Sequence, residues 1–413
     1  MDIQPKYTDD DKWTLETATA CQYKWTWSTV FLSTGTSSSC HRCKGWDVSD
    51  MMEDFHNHPG KLGDREKMLK GQWPGNGCEY CKKIEQAGGT SERTGFINKS
   101  WLKPKEMVKN PTATRVTPRI VEVYFNNLCN QKCVYCSPYF SSLIQHEVEK
   151  YGPLADEYHL DGFEQRKDYQ ELKEKFFIWL DKHSQDLLQF HILGGEPFYI
   201  PEFDECLEYF ETKEHPNLNW KIFSNLKHPP AKFKKKIARI QKLIDDKKLL
   251  SFQVVCSIDN WGPQAEFARM GMDLKIWEQN FNTLLESDIK LMIHSTISPV
   301  TLSTMSDLYR KVNEWRKVRH IDMSWNTIAH PTFMSPEILG VNAKPYFDEL
   351  LSIVPDESDW HEVLNGFATQ VTTHEVDNER LKKLSNYLNN IDNRRDTDWK
   401  GLYPELEKLT KDL

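Results

Sequence analysis

Residues 120–138 read IVEVYFNNLCNQKCVYCSP, an alternating apolar run from Ile120 to Phe125 set directly against cysteines at 129, 133 and 136. Alternation of this kind predicts a β-strand with one face packed. The cysteines then fall on the loop that leaves its C-terminal end, where α/β folds place their sites. The spacing is CxxxCxxC. If these thiolates hold three irons of a [4Fe-4S] cluster, which takes one ligand per iron, the fourth iron is left open to a ligand from outside the chain. A zinc knuckle or plain core thiols are the bland alternatives. Zinc, however, takes four protein ligands in structural sites and commonly uses paired CxxC units.

Working outward, strands and helices alternate. Strands are expected over 119–126, 188–194, 219–224, 250–257, 289–296 and 317–324. Helices are expected over 164–182, 203–212, 231–246, 273–286 and 303–316, with apolar residues at three- and four-residue steps such as Phe233, Ile237, Ile240 and Ile244. The alternation predicts an α/β fold, a parallel sheet covered by helices. Residues 139–163 read as a long insertion. From Pro345 the tail is helical in character, with Leu364, Phe367 and Leu381 to Leu388 as packing positions and a role in covering the sheet.

Upstream, residues 1–115 form a small polar region with Cys21, Cys40, Cys43, Cys78 and Cys81. Trp27 to Gly35 suggests a hairpin arm turning at Gly35. Residues 64–71 suggest a short helix ending at Gly71, and Cys78-x2-Cys81 enters another helix that closes at Gly88-Gly89. Trp25, Trp27, Trp73 and Trp101 read as packing. So polar a stretch needs help to build a core, and metal ligation would give it.

The whole chain has 413 residues, 14 Trp, 20 Phe and a formal net charge of -8. That length allows one large α/β unit with a smaller appendage. The acidic balance argues against a nucleic-acid backbone as partner. No apolar stretch approaches a membrane span, and the polar start MDIQPKYTDDDKW is unlike a signal peptide. A cytoplasmic location without membrane contact is expected. Ten cysteines, most in short-range groups, suggest metal ligation in a reducing compartment.

Beyond the cysteines, Tyr135 precedes the third of them, and Gly194-Gly195-Glu196-Pro197 ends the second strand. Ser224-Asn225 ends the third, Ser257-Ile258-Asp259 the fourth, and Arg269 precedes Gly271. In this order the elements resemble the radical S-adenosylmethionine (SAM) superfamily over roughly 119–325. The resemblance implies a partial (β/α)6 TIM-like barrel over 116–330, with 331–413 packed on it. It implies an open-cornered [4Fe-4S] cluster on Cys129, Cys133 and Cys136, with SAM chelating the free iron. Reductive cleavage of SAM would then give a 5′-deoxyadenosyl radical that abstracts a substrate hydrogen.

In the family the aromatic at Tyr135 packs near adenine, the GGEP element meets the SAM amino group, Asn225 lies near SAM, Ser257 and Asp259 lie at the ribose, and Arg269 pairs with the carboxylate. The bare residues agree in part: two glycines permit close approach of a ligand, and Glu196 can accept from an ammonium. Asn225 and Asp259 could equally be helix caps, and Arg269 a surface charge.

Gly35-x4-Cys40 resembles the GxxxxC element of SPASM and twitch auxiliary-cluster domains. With Cys21, Cys40, Cys78 and Cys81 it implies a second, closed [4Fe-4S] cluster. Cys43 could replace Cys40 or Cys21, and a structural Zn(Cys)4 site would use the same residues. Relatives of this kind modify ribosomally made peptides, sugars, nucleosides or small metabolites, and draw electrons from a flavodoxin or ferredoxin. A peptide is the expected substrate and a small molecule the alternative. A zinc-stabilised binding protein without catalysis is the rival. Cys206 and Cys256 read as core thiols. His294, Ser295, Trp325 and Asn326 end the last two strands and are candidates to face a substrate.

Overall fold

The computed structural model describes residues 19–94, 113–155, 163–355, 358–411 and 413. Trp101 and the N-terminal stretch 1–18 lie outside them. The strands are β1 (Trp27–Phe31), β2 (Thr36–Ser38), β3 (Trp46–Asp47), β4 (Ile120–Tyr124), β5 (Lys132–Cys133), β6 (Gln189–Leu193), β7 (His215–Ser224), β8 (Leu249–Ser257), β9 (Arg269–Met270), β10 (Lys290–Ile297) and β11 (Asp322–Thr327). Nine of them make one sheet in the order β11-β10-β8-β7-β6-β4-β1-β2-β3, and β5 pairs with β9 apart from it. The six strands β4, β6, β7, β8, β10 and β11 are parallel and lie side by side in chain order. Helices Tyr169–His183, Pro201–Thr212, Pro230–Asp245, Leu274–Leu285 and Met305–Arg316 occupy the connections. This is a mixed α/β architecture with a large, mostly parallel sheet.

The period-2 pattern decides which face meets the helices. Val121, Val123, Phe190, Ile192, Trp220, Ile222, Phe252 and Val254 are completely buried. They pack with Phe176, Phe203, Leu207, Phe210, Phe233 and Ile240 of the helices. Truncating one of these rings to alanine costs about 3–5 kcal/mol. The opposite face carries Glu122, His191, Lys221 and Gln253, cross-strand neighbours in one row.

Three features depart from the sequence reading. The N-terminal region does not stand apart from the sheet. β1 runs parallel to β4, with Trp27 opposite Ile120 and Phe31 opposite Tyr124. The boundary expected near 115 therefore separates two stretches of chain that share one sheet. The hairpin does turn at Gly35, whose φ of +67° suits a residue without Cβ. Secondly, the region read as an insertion contains a helix, Ser142–Tyr151, capped by the Ser141 hydroxyl accepting from Ile144 N–H. Thirdly, the last strand spans 322–327 rather than 317–324.

The N-terminal region also builds more of its interior from charge than expected. Lys24 and Asp64 form a buried pair at 2.6 Å. The buried Arg65 donates to the carbonyls of Lys24 (2.6 Å), His56 (2.8 Å) and Thr114 (2.6 Å). Trp25 is buried there with Cys21, Met68, Cys78 and Ile120, and Trp27 and Trp73 pack against them. In the tail, helices Lys344–Ile353, Asp359–Thr372 and Asn378–Arg395 bury Leu364, Leu381, Leu384 and Leu388, with Phe367 half-buried. No helix among the described residues is long and apolar enough to cross a membrane.

Candidate functional site

The loop after β4 is fixed from several sides. Asn127 Nδ2 donates to the Pro138 carbonyl (2.8 Å), Ser141 Oγ to that of Gln131 (2.8 Å), and Cys129 N–H to Ser142 Oγ (3.2 Å). Cys136 N–H closes a turn on the Cys133 carbonyl at 3.0 Å. β5 pairs antiparallel with β9, placing Cys133 opposite Arg269. From the tail, the Tyr387 hydroxyl donates to the Val134 carbonyl and Arg395 to that of Lys132 (2.8 Å).

The thiols of Cys129, Cys133 and Cys136 feel one another's charge. Burial pushes Cys129 up to about 12 and raises Cys133 and Cys136 as well. Three sulfurs, that of Cys129 in a buried residue and those of Cys133 and Cys136 in half-buried ones, resist ionisation alone and become good ligands once a cation compensates them. The loop offers three, and Cys206 and Cys256 are buried elsewhere in the core. The donor set thus fits a cluster with one iron left open better than a four-ligand zinc ion.

The Gly-Gly-Glu turn after β6 lies on this loop. Gly194 and Gly195 have φ of +80° and +55°. A Cβ on Gly195 would stand 2.2 Å from the Leu128 carbonyl oxygen. Glu196 N–H donates to that same oxygen at 2.9 Å. The Glu196 carboxylate accepts from Phe198 N–H (3.2 Å), Ser224 Oγ (2.7 Å) and Asn225 N–H (2.6 Å). Burial outweighs these donors and pushes its pKa up to about 7. Pro197 is buried and opens a short helical turn. Asn225 caps no helix. Its Nδ2 lies 3.9 Å from Cys129 Sγ and 2.9 Å from Asn130 Oδ1.

Asp259 and Arg269 satisfy each other through two bonds of 2.9 and 2.8 Å. Asp259 also accepts from Thr296 N–H (2.9 Å) and from the Tyr135 hydroxyl, and the Arg269 guanidinium lies 5.7 Å from the Tyr135 ring centre. Arg269 is therefore a buried partner of Asp259 and no surface charge. Ser257 ends β8 half-buried, opposite His294. The structure thus gathers every residue expected around the first cluster at one end of the parallel strands. Of the substrate candidates, Ser295 and Trp325 are buried; Ser295 Oγ donates to the Ile258 carbonyl at 2.7 Å. His294 is half-buried, with Nδ1 2.9 Å from Ser324 Oγ and Nε2 3.4 Å from Asn326 Nδ2. Burial pulls His294 down to about 4.

The upstream cysteines also come together, and Cys43 is among them. Cys43 interacts electrostatically with both Cys40 and Cys78, and Lys24 Nζ lies 3.5 Å from Cys43 Sγ. Cys21 acts on Cys40, Cys78 and Cys81 through charge alone. Cys43 lies among the expected ligands, with Cys21 and Cys78 buried beside it, for a reason visible in the backbone. A Cβ on Gly77 would lie 2.2 Å from the Arg42 carbonyl oxygen, so the two CxxC turns are pressed together. Cys40 also lies with His41 and Glu92 in a group of possible ligands. His41 and Glu92 are exposed or half-exposed and Glu92 is shared with Arg42 (2.9 Å), which marks a surface ion pair.

Glu122, His191, Lys221 and Arg395 were missed in the sequence. The first three had a signal, since each is a polar residue inside an apolar strand, as in IVEVY, QFHIL and WKIFS. Arg395 had none.

No family model and no curated protein matches the chain. Among solved structures it is similar to Streptococcus suis SuiB bound to precursor peptide SuiA, at 16% identity and a TM-score of 0.37. The match covers 72% of this chain and 59% of that one. So slight a likeness fixes nothing alone; the strand order and the assembled site stand on their own.

Proposed function

We propose that the chain is a radical SAM enzyme. The observation that carries this reading is the convergence of Cys129, Cys133 and Cys136 with the Gly194-Gly195-Glu196 turn, Asn225 and the Tyr135–Asp259–Arg269 group on successive strand ends. The chain-order run of six parallel strands supports a partial (β/α)6 TIM-like barrel over 116–330. It would carry residues 1–115 on one edge and 331–413 as cover. Cys129, Cys133 and Cys136 would hold the cluster. Bound SAM and a reduced cluster supply reductive C5′–S cleavage and hydrogen abstraction, with the electron coming from a flavodoxin- or ferredoxin-like partner.

The chain's own part is positional. The two glycines let the backbone approach closely, Glu196 offers a carboxylate to an amino N–H, and Tyr135 offers a ring for the adenine. The substrate in this reading is a peptide, with a small metabolite, sugar or nucleoside as the alternative. The upstream sulfurs are read as an auxiliary [4Fe-4S] site. The packing of the Cys40–Cys43 turn against the Cys78–Cys81 turn favours a second reading, a zinc ion on the paired CxxC units.

Anaerobic reconstitution with iron and sulfide, followed by SAM and dithionite, is expected to release 5′-deoxyadenosine and methionine. A C129A/C133A/C136A protein is expected to release neither. Absence of both products from a protein with a full, reduced cluster would overturn the reading. Metal analysis separates two clusters, about eight iron per chain, from one cluster with zinc, about four iron.

A further inference from the structure

We propose that Lys221 anchors a carboxylate of the substrate on the sheet face opposite the helix layer, next to the cysteine loop, an inference that rests on the radical SAM reading. Lys221 lies on β7, the middle of the parallel run, with His191 opposite on β6 and Gln253 opposite on β8. The neighbours Trp220 and Ile222 point into the helix layer, so Lys221 projects from the other face. Tyr124 belongs to that face, and a Cβ on Gly194 would meet its ring at 2.7 Å. The face therefore lies under the site.

The ammonium has no hydrogen-bond or ion-pair partner among the described residues; its nitrogen lies 5.2 Å from the Phe223 ring centre. Phe223 is two residues nearer the C-terminal end of β7, so the side chain leans toward the cysteines. Burial lowers the pKa of Lys221, and Glu122 is the carboxylate whose field opposes that shift. It already accepts from Thr29 Oγ1 (2.9 Å) and faces His191 Nδ1 (3.3 Å). His191 and His294 both feel the charge of Lys221, and burial holds both neutral. A half-buried charge without a partner is costly, and such charges concentrate where a ligand completes them.

A lone ammonium beside neutral imidazoles suits a carboxylate. Phosphate is more commonly met by an arginine fork or a row of backbone N–H groups. Depth gives the anchor its use. Three residues separate Lys221 from Ser224, whose hydroxyl donates to Glu196, a rise of roughly 10 Å along a strand. A carboxylate held there fixes which C–H of an acidic substrate stands near the cofactor.

The test uses the full reconstituted chain and calorimetric titration with glutarate, its neutral isostere glutaramide, and methylphosphonate. Wild type is expected to bind glutarate at least about tenfold more tightly than either comparator. K221M is expected to lose that preference, and K221R to keep part of it. Equal binding of glutarate and glutaramide by the wild type overturns the proposal without any variant. So does a preference for methylphosphonate, or a glutarate preference that survives K221M. Release of 5′-deoxyadenosine without added substrate is expected to persist in K221M. Its absence from the wild type, with Lys221-dependent glutarate binding intact, would count against the radical SAM reading alone.

Discussion

Arg395 and Glu147, separated by 248 positions, form an ion pair at 2.8 Å with 1% and 4% of their side chains exposed. Arg395 also donates to the Lys132 carbonyl at 2.8 Å, one residue before Cys133. The tail therefore reaches through the protein to hold the cysteine loop from behind. Removing one partner leaves the other charge buried, which costs about 3–5 kcal/mol. R395M is expected to melt well below wild type and to take up less iron. E147Q/R395M, which removes both charges, is expected to recover part of the stability. Thermal melts and iron assays decide it: an R395M protein that matches the wild type in both removes the tail from the account of the loop.

The second thiolate site turns on Cys43. It interacts electrostatically with Cys40 and Cys78 and lies 3.5 Å from the Lys24 ammonium, whereas Cys21 acts on its neighbours through charge. C43A is expected to lose the metal of this site, and C21A to keep most of it. Elemental analysis of both proteins beside C129A/C133A/C136A gives the answer. Full metal in C43A with loss in C21A would restore Cys21 to the ligand set.

Gly195 makes a sharper test of how closely the two halves of the first site are pressed together. Its φ is +55°, and an added Cβ would lie 2.2 Å from the Leu128 carbonyl. That oxygen is backbone and cannot swing aside, so G195A must displace the cysteine loop or the turn. G195A is expected to lose several kcal/mol of stability, or to fold without binding iron. G366A, inside helix Asp359–Thr372 with open space around it, is expected to stabilise by about 0.5–1 kcal/mol. Chemical denaturation of the pair separates a close-approach effect from a general response to added bulk.

The parallel strands and their helices were legible because burial on one face writes a period of two into IVEVY, QFHIL and SFQVVCS. The candidate site residues could be read together because they follow successive strand ends. What stayed hidden depended on distant partners. Helix Ser142–Tyr151 buries Glu147, a residue that reads as exposed until Arg395 is known to meet it. The strand Trp27–Phe31 gives no local sign that it lies beside Ile120–Tyr124, because a parallel pairing leaves no turn between its members. The place of Cys43 beside the other upstream cysteines depends on Gly77 packing against Arg42, a contact between two loops.

Glu196 ties stability to pH in a direction that can be worked out. Its carboxyl is completely buried, and desolvation lifts its pKa to about 7 from an ordinary 4.5. A folded-state pKa above the unfolded one means that the native protein holds the proton more tightly. The group's stabilising contribution is therefore fully present below about pH 4.5 and is lost as pH rises through about 7. The shift corresponds to roughly 3 kcal/mol at most. Against E196Q, which cannot ionise, the wild type is expected to lose stability between pH 5 and 8 in urea melts of the metal-free chain. A gap between the two proteins that stays constant over that range would show that Glu196 titrates at its ordinary value. The same ionisation bears on the proposed cofactor. The carboxylate form accepts from an amino N–H better than the acid form does, so SAM affinity of the reconstituted protein is expected to rise more steeply from pH 6 to pH 8 than it does in E196Q.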